Sequence, residues 1–273
     1  MPLVLEKLSI PTKLGKIAVR VGGSGPAILF WPSLLMDGMM WEPQAAHFAP
    51  KYKVILIDPP GHGESEALTK TFSFTDCEQV LVDILDALGI DKAHLVGNSW
   101  GAMIGGTFAA THPERIGCAM LFNGTASPVG LQQKIEYFAL TEIARFQGGI
   151  KGMFADKAVQ AFIGPTTDRE RPQVVKAIRD RLKLIDINSI YWAVKSVVSN
   201  RPDQRALFAK IHTPVLVVAG EEDATFPINE VTEMAKSIPN AEFKIMPKTA
   251  HLAGLERPQE VIEIIEKFLQ EKS

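Results

Sequence analysis

The run Gly97-Asn98-Ser99-Trp100-Gly101 places one serine between two glycines, each two residues away. It follows a β-rich apolar run and precedes a helical one, so Ser99 is expected on a tight strand-to-helix turn. Side chains at 97 and 101 would crowd such a turn, and its strain pushes the serine into the open as a nucleophile. The competing assignment makes Ser99 a plain N-cap of a helix over 99–112. A serine hydroxyl is a weak nucleophile at neutral pH and needs a base within hydrogen-bond reach. Among six histidines, His94 falls inside a predicted strand, His112 closes a helix before Pro113, and His47 lies on an early amphipathic helix. His212 precedes a strand at its N-terminal end. His251 follows the last predicted strand, at the C-terminal sheet edge where open α/β sheets bind ligands. A carboxylate must then hold the imidazole in one tautomer. The segment Gly220-Glu221-Glu222-Asp223-Ala224-Thr225-Phe226-Pro227 offers three at that edge. Asp223 is expected to point inward, with Glu221 and Glu222 solvated and Glu222 in reserve. Asn123-Gly124-Thr125-Ala126 offers no competing acid. Ser99, His251 and Asp223 together predict acyl transfer through a covalent acyl-serine.

These residues need a scaffold that brings three distant segments to one edge. Strand-length apolar runs occur at 27–31, 53–58, 92–97, 116–122, 213–219 and 241–246, of a kind that suits strands buried on both faces. Helical periodicity falls between them near 41–50, 73–89, 99–112, 228–237 and 256–271. Segments 3–9 and 16–21 alternate more, around Leu14-Gly15-Lys16, and predict an antiparallel hairpin. The fold class expected is α/β: a mostly parallel eight-stranded sheet with helices on both faces. From 127 to 207 no strong strand occurs, and amphipathic helices are expected at 131–147, 153–163, 171–184 and 188–199. That segment is expected to be a helical cap inserted between core segments 1–126 and 208–273, all within one domain.

The chain of 273 residues carries 29 basic and 31 acidic side chains without long runs of either sign, so no nucleic-acid or membrane partner is expected. No basic leader and no 18-residue apolar stretch occur, which makes cytoplasmic the expected location. Cys77 and Cys118 are expected as buried free thiols. The histidines lack metal-ligand spacing, so neither metal nor cofactor is expected. Oligomeric state is not legible.

The order Ser99, Asp223, His251 resembles that of the α/β-hydrolase superfamily over nearly the whole chain. Asp58-Pro59-Pro60-Gly61-His62-Gly63-Glu64-Ser65 is similar to the D-x-x-G-H-G-x-S turn of that superfamily, which implies a structural role for His62. The stretch from His251 to Pro258 is similar to its H-x-x-x-x-E-x-P ending. The resemblance implies an oxyanion hole made by the N–H of Trp100 and an N–H from the loop after the third strand. That loop reads Trp31-Pro32-Ser33-Leu34-Leu35, with Pro32-Ser33 where the superfamily usually has His-Gly. Counting back from Trp41, the second donor is expected at Leu34, with Ser33 next.

Serine rather than aspartate at the elbow separates the chain from the dehalogenases and epoxide hydrolases of the superfamily. The loop from Ser33 to Gln44 is similar to that of enol-lactonases, whereas Gly97-Asn98-Ser99 resembles carbon–carbon bond hydrolases of aromatic ring-cleavage products. The latter usually carry an HGSGPG-type loop that is absent here. A small apolar or aromatic ester or lactone is therefore the expected substrate. Carbon–carbon cleavage, acyl transfer or perhydrolysis by the same triad, and non-catalytic ligand binding are the alternatives. Trp31, Met36, Met103, Phe138 and Trp192 are expected to line the pocket, and Arg145, Arg169, Arg171 and Arg179 could reach a carboxylate from the cap.

Overall fold

The computed structural model describes residues 3–272; Met1, Pro2 and Ser273, which include the first residues of the expected leaderless start, lie outside them. Its eight strands are β1 (Glu6–Thr12), β2 (Gly15–Gly22), β3 (Ala27–Trp31), β4 (Lys53–Ile57), β5 (Ala93–Asn98), β6 (Ile116–Phe122), β7 (Val215–Gly220) and β8 (Glu242–Met246). They form one sheet in the order β1-β2-β4-β3-β5-β6-β7-β8. β1 and β2 pair antiparallel with each other, as β2 does with β4, and every later pairing is parallel. Every residue of β3 and β7 is buried, which explains their unbroken apolar composition.

Two expectations shift. The hairpin closes through Lys13-Leu14, because Thr12 pairs with Gly15, whose φ of +92° suits glycine. Segment 241–246 gives an exposed edge strand instead of a doubly buried one, with Glu242, Phe243, Lys244 and Ile245 exposed on its two faces. Its charged residues suit an edge that must resist further pairing.

In chain order the helices are α1 (Glu42–Phe48), α2 (Phe74–Ala87), α3 (Trp100–Thr111), α4 (Leu131–Phe146), α5 (Met153–Gln160), α6 (Pro165–Glu170), α7 (Pro172–Lys183), α8 (Ile187–Val194), α9 (Arg205–Phe208), α10 (Ile228–Lys236), α11 (Ala253–Glu256) and α12 (Pro258–Lys272). A hydrophobic cluster joins α2, α3 and α10 to one face of the sheet, and a second joins α1 and α12 to the other. α4 to α9 all fall between β6 and β7 and form the cap. α6 and α7 meet at Arg171, just before Pro172, because proline excludes its predecessor from helical backbone. α8 runs into one π-helical turn (Lys195–Ser199). Cys77 and Cys118 are buried and unpaired. Among the described residues no helix is long and apolar enough to cross a membrane.

Candidate active site

Ser99 joins β5 to α3 with φ +57° and ψ −110°, a conformation costly for any residue with a Cβ. Its hydroxyl makes no capping bond to α3, so the N-cap assignment fails. A Cβ at Gly97 would overlap the Gly101 carbonyl oxygen, and one at Gly101 would overlap that of Trp31. Both glycines are therefore demanded by close backbone approach. The Ser99 amide donates to Phe122 O at 2.8 Å, which fixes the turn against the end of β6.

The loops after β7 and β8 bring Asp223 and His251 together, with His251 on the cavity wall and Asp223 behind it. His251 Nδ1 lies 2.8 Å from Asp223 Oδ2, with both side chains buried. Asp223 Oδ1 accepts the Thr225 and Phe226 amides at 2.8 and 3.0 Å, and this pins the carboxylate so that Oδ2 faces the ring. Phe162 stacks on the imidazole at 5.8 Å and Phe226 tilts against it at 5.5 Å. Glu222 turns away: its two oxygens accept from the Thr166 amide and hydroxyl, at 2.8 and 2.5 Å, at the start of α6. It is a link from β7 to the cap rather than a solvated side chain or a second acid.

The His251 loop is held by residues that sequence reading had not given a role. Asn98 Nδ2 and Asn123 Nδ2 each donate to His251 O at 2.8 Å. Asn123 also donates to Ala250 O and accepts from the Gly220 amide, both at 2.7 Å. Glu256, the acid of the H-x-x-x-x-E-x-P ending, accepts the Ala250 amide at 3.0 Å and the Leu252 amide at 3.0 Å. Burial pushes its carboxyl pKa up, against the hydrogen bonds from the Thr167 hydroxyl and those two amides.

On the loop after β3, Leu34 lines the cavity and its N–H has no protein acceptor among the described residues. The next amide, of Leu35 at φ +68°, donates to His62 Nε2 at 3.0 Å. Asp58 Oδ1 accepts the Gly38 amide at 2.9 Å, so the Asp58–Ser65 turn grips this loop at two points. Ser33 is fully buried, and its hydroxyl accepts from Asn98 Nδ2 at 2.7 Å. Its side chain braces the elbow and is not part of the cavity wall. The Trp100 N–H opens α3 and has no intrahelical acceptor. Its indole is buried edge-on to Trp31 and stacked on Phe72.

The cavity over Ser99 and His251 measures about 640 Å³ and is walled mainly by cap side chains. Of the five expected lining residues only Met103 borders it. Trp31 and Met36 are fully buried, one in each of the two hydrophobic clusters, while their loop neighbours Leu34 and Leu35 take the cavity wall. Trp192 packs into the core beneath α8, and Phe138 is half exposed on the other side of α4. Helical periodicity had marked apolar faces without saying which one meets the sheet. The four cap arginines also lie elsewhere: Arg145 sits over the Tyr191 ring, Arg169 pairs with Glu170, Arg171 binds Lys248 O, and Arg179 pairs with Asp156. Arg201, which sequence reading passed over, borders the cavity.

A nucleophile elbow and a buried acid–imidazole pair at the C-terminal edge of a mostly parallel sheet, beneath a helical cap, define a hydrolase of the α/β class. The family model described as alpha/beta hydrolase fold matches residues 26–258, and the chain belongs to that family. A 2-hydroxy-6-oxononadienedioate/2-hydroxy-6-oxononatrienedioate hydrolase of Paraburkholderia phymatum is 29% identical, over 92% of this chain and 86% of its own. The 3-oxoadipate enol-lactonase 1 of Acinetobacter baylyi is 28% identical, over 97% and 98%. A thermophilic esterase from Thermogutta terrifontis, solved with malate bound, superposes with a TM-score of 0.90 at 26% identity, covering 97% of this chain and 98% of its own.

Proposed function

We propose that the protein is a serine hydrolase cleaving a small carboxylic ester or lactone through an acyl-enzyme on Ser99. The observation that carries this reading is the Asp223–His251 bond at 2.8 Å beside a serine whose strained turn leaves its hydroxyl free of any capping role. Asp223 orients Nδ1, so Nε2 is the nitrogen that takes the Ser99 proton. The Ser99 oxygen then attacks the carbonyl carbon, and the Leu34 and Trp100 N–H groups receive the oxyanion. His251 returns the proton to the leaving alkoxide, activates a water against the acyl-enzyme, and protonates Ser99 as the acid departs. Segment 127–207 is the lobe that selects the substrate, since it supplies most of the cavity wall. The esterase and enol-lactonase among the relatives support an ester or lactone. The oxononadienedioate hydrolase, similar over as much of the chain, keeps cleavage of a carbon–carbon bond as the second reading.

Turnover of 4-nitrophenyl acetate and butyrate by the wild type and by Ser99→Ala tests the central step. A pre-steady-state burst and a fall in kcat of at least about 10³-fold in the variant are expected. Undiminished turnover by Ser99→Ala would sink the proposal.

A further inference from the structure

Arg201 borders the same cavity as Ser99 and His251. Its Nε donates to Ser127 O at 2.9 Å, and its guanidinium lies 5.4 Å from the centre of the Phe226 ring, the ring that also leans on His251. It forms no ion pair with a described carboxylate. The acid nearest in electrostatic terms, Glu230, is engaged by the Thr125 hydroxyl. Tyr137, on the cavity face of α4, has its phenol within electrostatic reach of both Arg201 and Asp223. An unpaired cation half withdrawn from water is unfavourable, and one aromatic ring offsets it only in part. With Nε committed to the backbone, the Nη groups keep the planar fork that fits a carboxylate.

We infer that Arg201, with Tyr137 on the same cavity wall, forms an anion subsite, and that the substrate is an ester or lactone whose acyl part carries a carboxylate away from the scissile bond. This rests on the hydrolase reading given above and narrows its substrate class. Phe226 touches both guanidinium and imidazole, so one small molecule can engage Arg201 while its ester lies at Ser99. The guanidinium pKa is held below its ordinary value mainly by burial, as expected of a cation that lacks a close partner.

The test compares the 4-nitrophenyl monoester of glutaric acid with 4-nitrophenyl butyrate, on wild type, Arg201→Gln and Arg201→Lys. Wild type is expected to favour the glutarate monoester in kcat/KM. The Gln variant, which keeps an amide for Ser127 O but no charge, is expected to lose that preference at least tenfold, mainly through KM, and Lys to restore part of it. A preference ratio unchanged in Arg201→Gln, or equal losses on both esters, overturns the subsite. Should Arg201→Gln fail to fold, added salt on the wild type serves instead. A KM rising for the glutarate monoester alone supports the subsite, and equal response of both esters rejects it. Glutarate binding to Ser99→Ala, followed by thermal shift, separates this proposal from the hydrolytic one. If no ester is turned over but glutarate still stabilises Ser99→Ala and not Ser99→Ala/Arg201→Gln, the subsite stands without the hydrolysis; no glutarate effect on Ser99→Ala overturns it.

Discussion

His62 commits both ring nitrogens: Nδ1 donates to Pro60 O at 3.0 Å, and Nε2 accepts the Leu35 amide at 3.0 Å. Only the neutral ring can do both. Burial lowers its pKa from 6.5 to about 4. Between those values the unfolded chain binds a proton that the folded chain refuses, so stability is full above pH 6.5 and is lost as pH falls towards 4. The difference is worth about 3 kcal/mol. Urea unfolding at pH 7 and pH 4.5 is expected to show a steeper loss for wild type than for His62→Asn, which has no proton to take up; parallel losses would deny His62 this role. The turn from Asp58 to Ser65 was legible as a motif. That it tethers the loop after β3 was not, because the bonds to Leu35 and Gly38 join residues 27 and 20 positions apart, which no local pattern records.

At the scale of elements, the ends of β5, β6 and β7 meet the His251 loop through Asn98, Asn123 and Gly220. Asn123 supplies three hydrogen bonds and sits at φ +50°, a backbone state asparagine tolerates better than most residues. Asn123→Ala leaves the Ala250 and His251 carbonyls and the Gly220 amide short of partners, and is expected to cost about 2–4 kcal/mol. kcat on 4-nitrophenyl butyrate is expected to fall about tenfold or more with KM nearly unchanged, as the imidazole loses its fixed position. Asn123→Gly removes the same bonds without the backbone strain, so denaturation should place it about 1 kcal/mol above the alanine variant. Equal kcat in all three proteins would mean that the loop is held without Asn123. Position 123 was noted in the sequence only for lacking a carboxylate. An amide that holds a loop by its backbone leaves no spacing signal, whereas Ser99 is flanked by glycines that the turn itself requires.

Across the whole molecule, strand runs and triad order were legible because burial on both faces and a strained elbow each restrict composition locally. Cavity lining was not, because it depends on how the cap helices rotate against the sheet. The same packing places cap and core side chains in shared hydrophobic clusters. One hydrophobic cluster carries Ala193, Val197 and Trp192 of the cap together with Trp31 and Trp100 of the core. The other joins Val159, Phe162, Ile178 and Leu182 to Phe30 and Met120. Ser189 and Ser196, two helical turns apart, accept the Leu68 and Phe72 amides at 2.9 Å each, and Arg181 pairs with Asp37 on the loop after β3. With both clusters crossing the boundary, cap and core are expected to unfold together. The four tryptophans test this, since Trp31, Trp41 and Trp100 report on the core and Trp192 on the cap. Urea transitions followed by fluorescence in Trp192→Phe, whose signal is all core, are expected to coincide with its far-UV circular dichroism, to which the cap helices contribute. Ser189→Ala is expected to shift both curves together by about 1–3 kcal/mol, the cost of leaving the Leu68 amide unpaired. A separate early transition in circular dichroism, moved alone by Ser189→Ala, would show a cap that unfolds by itself.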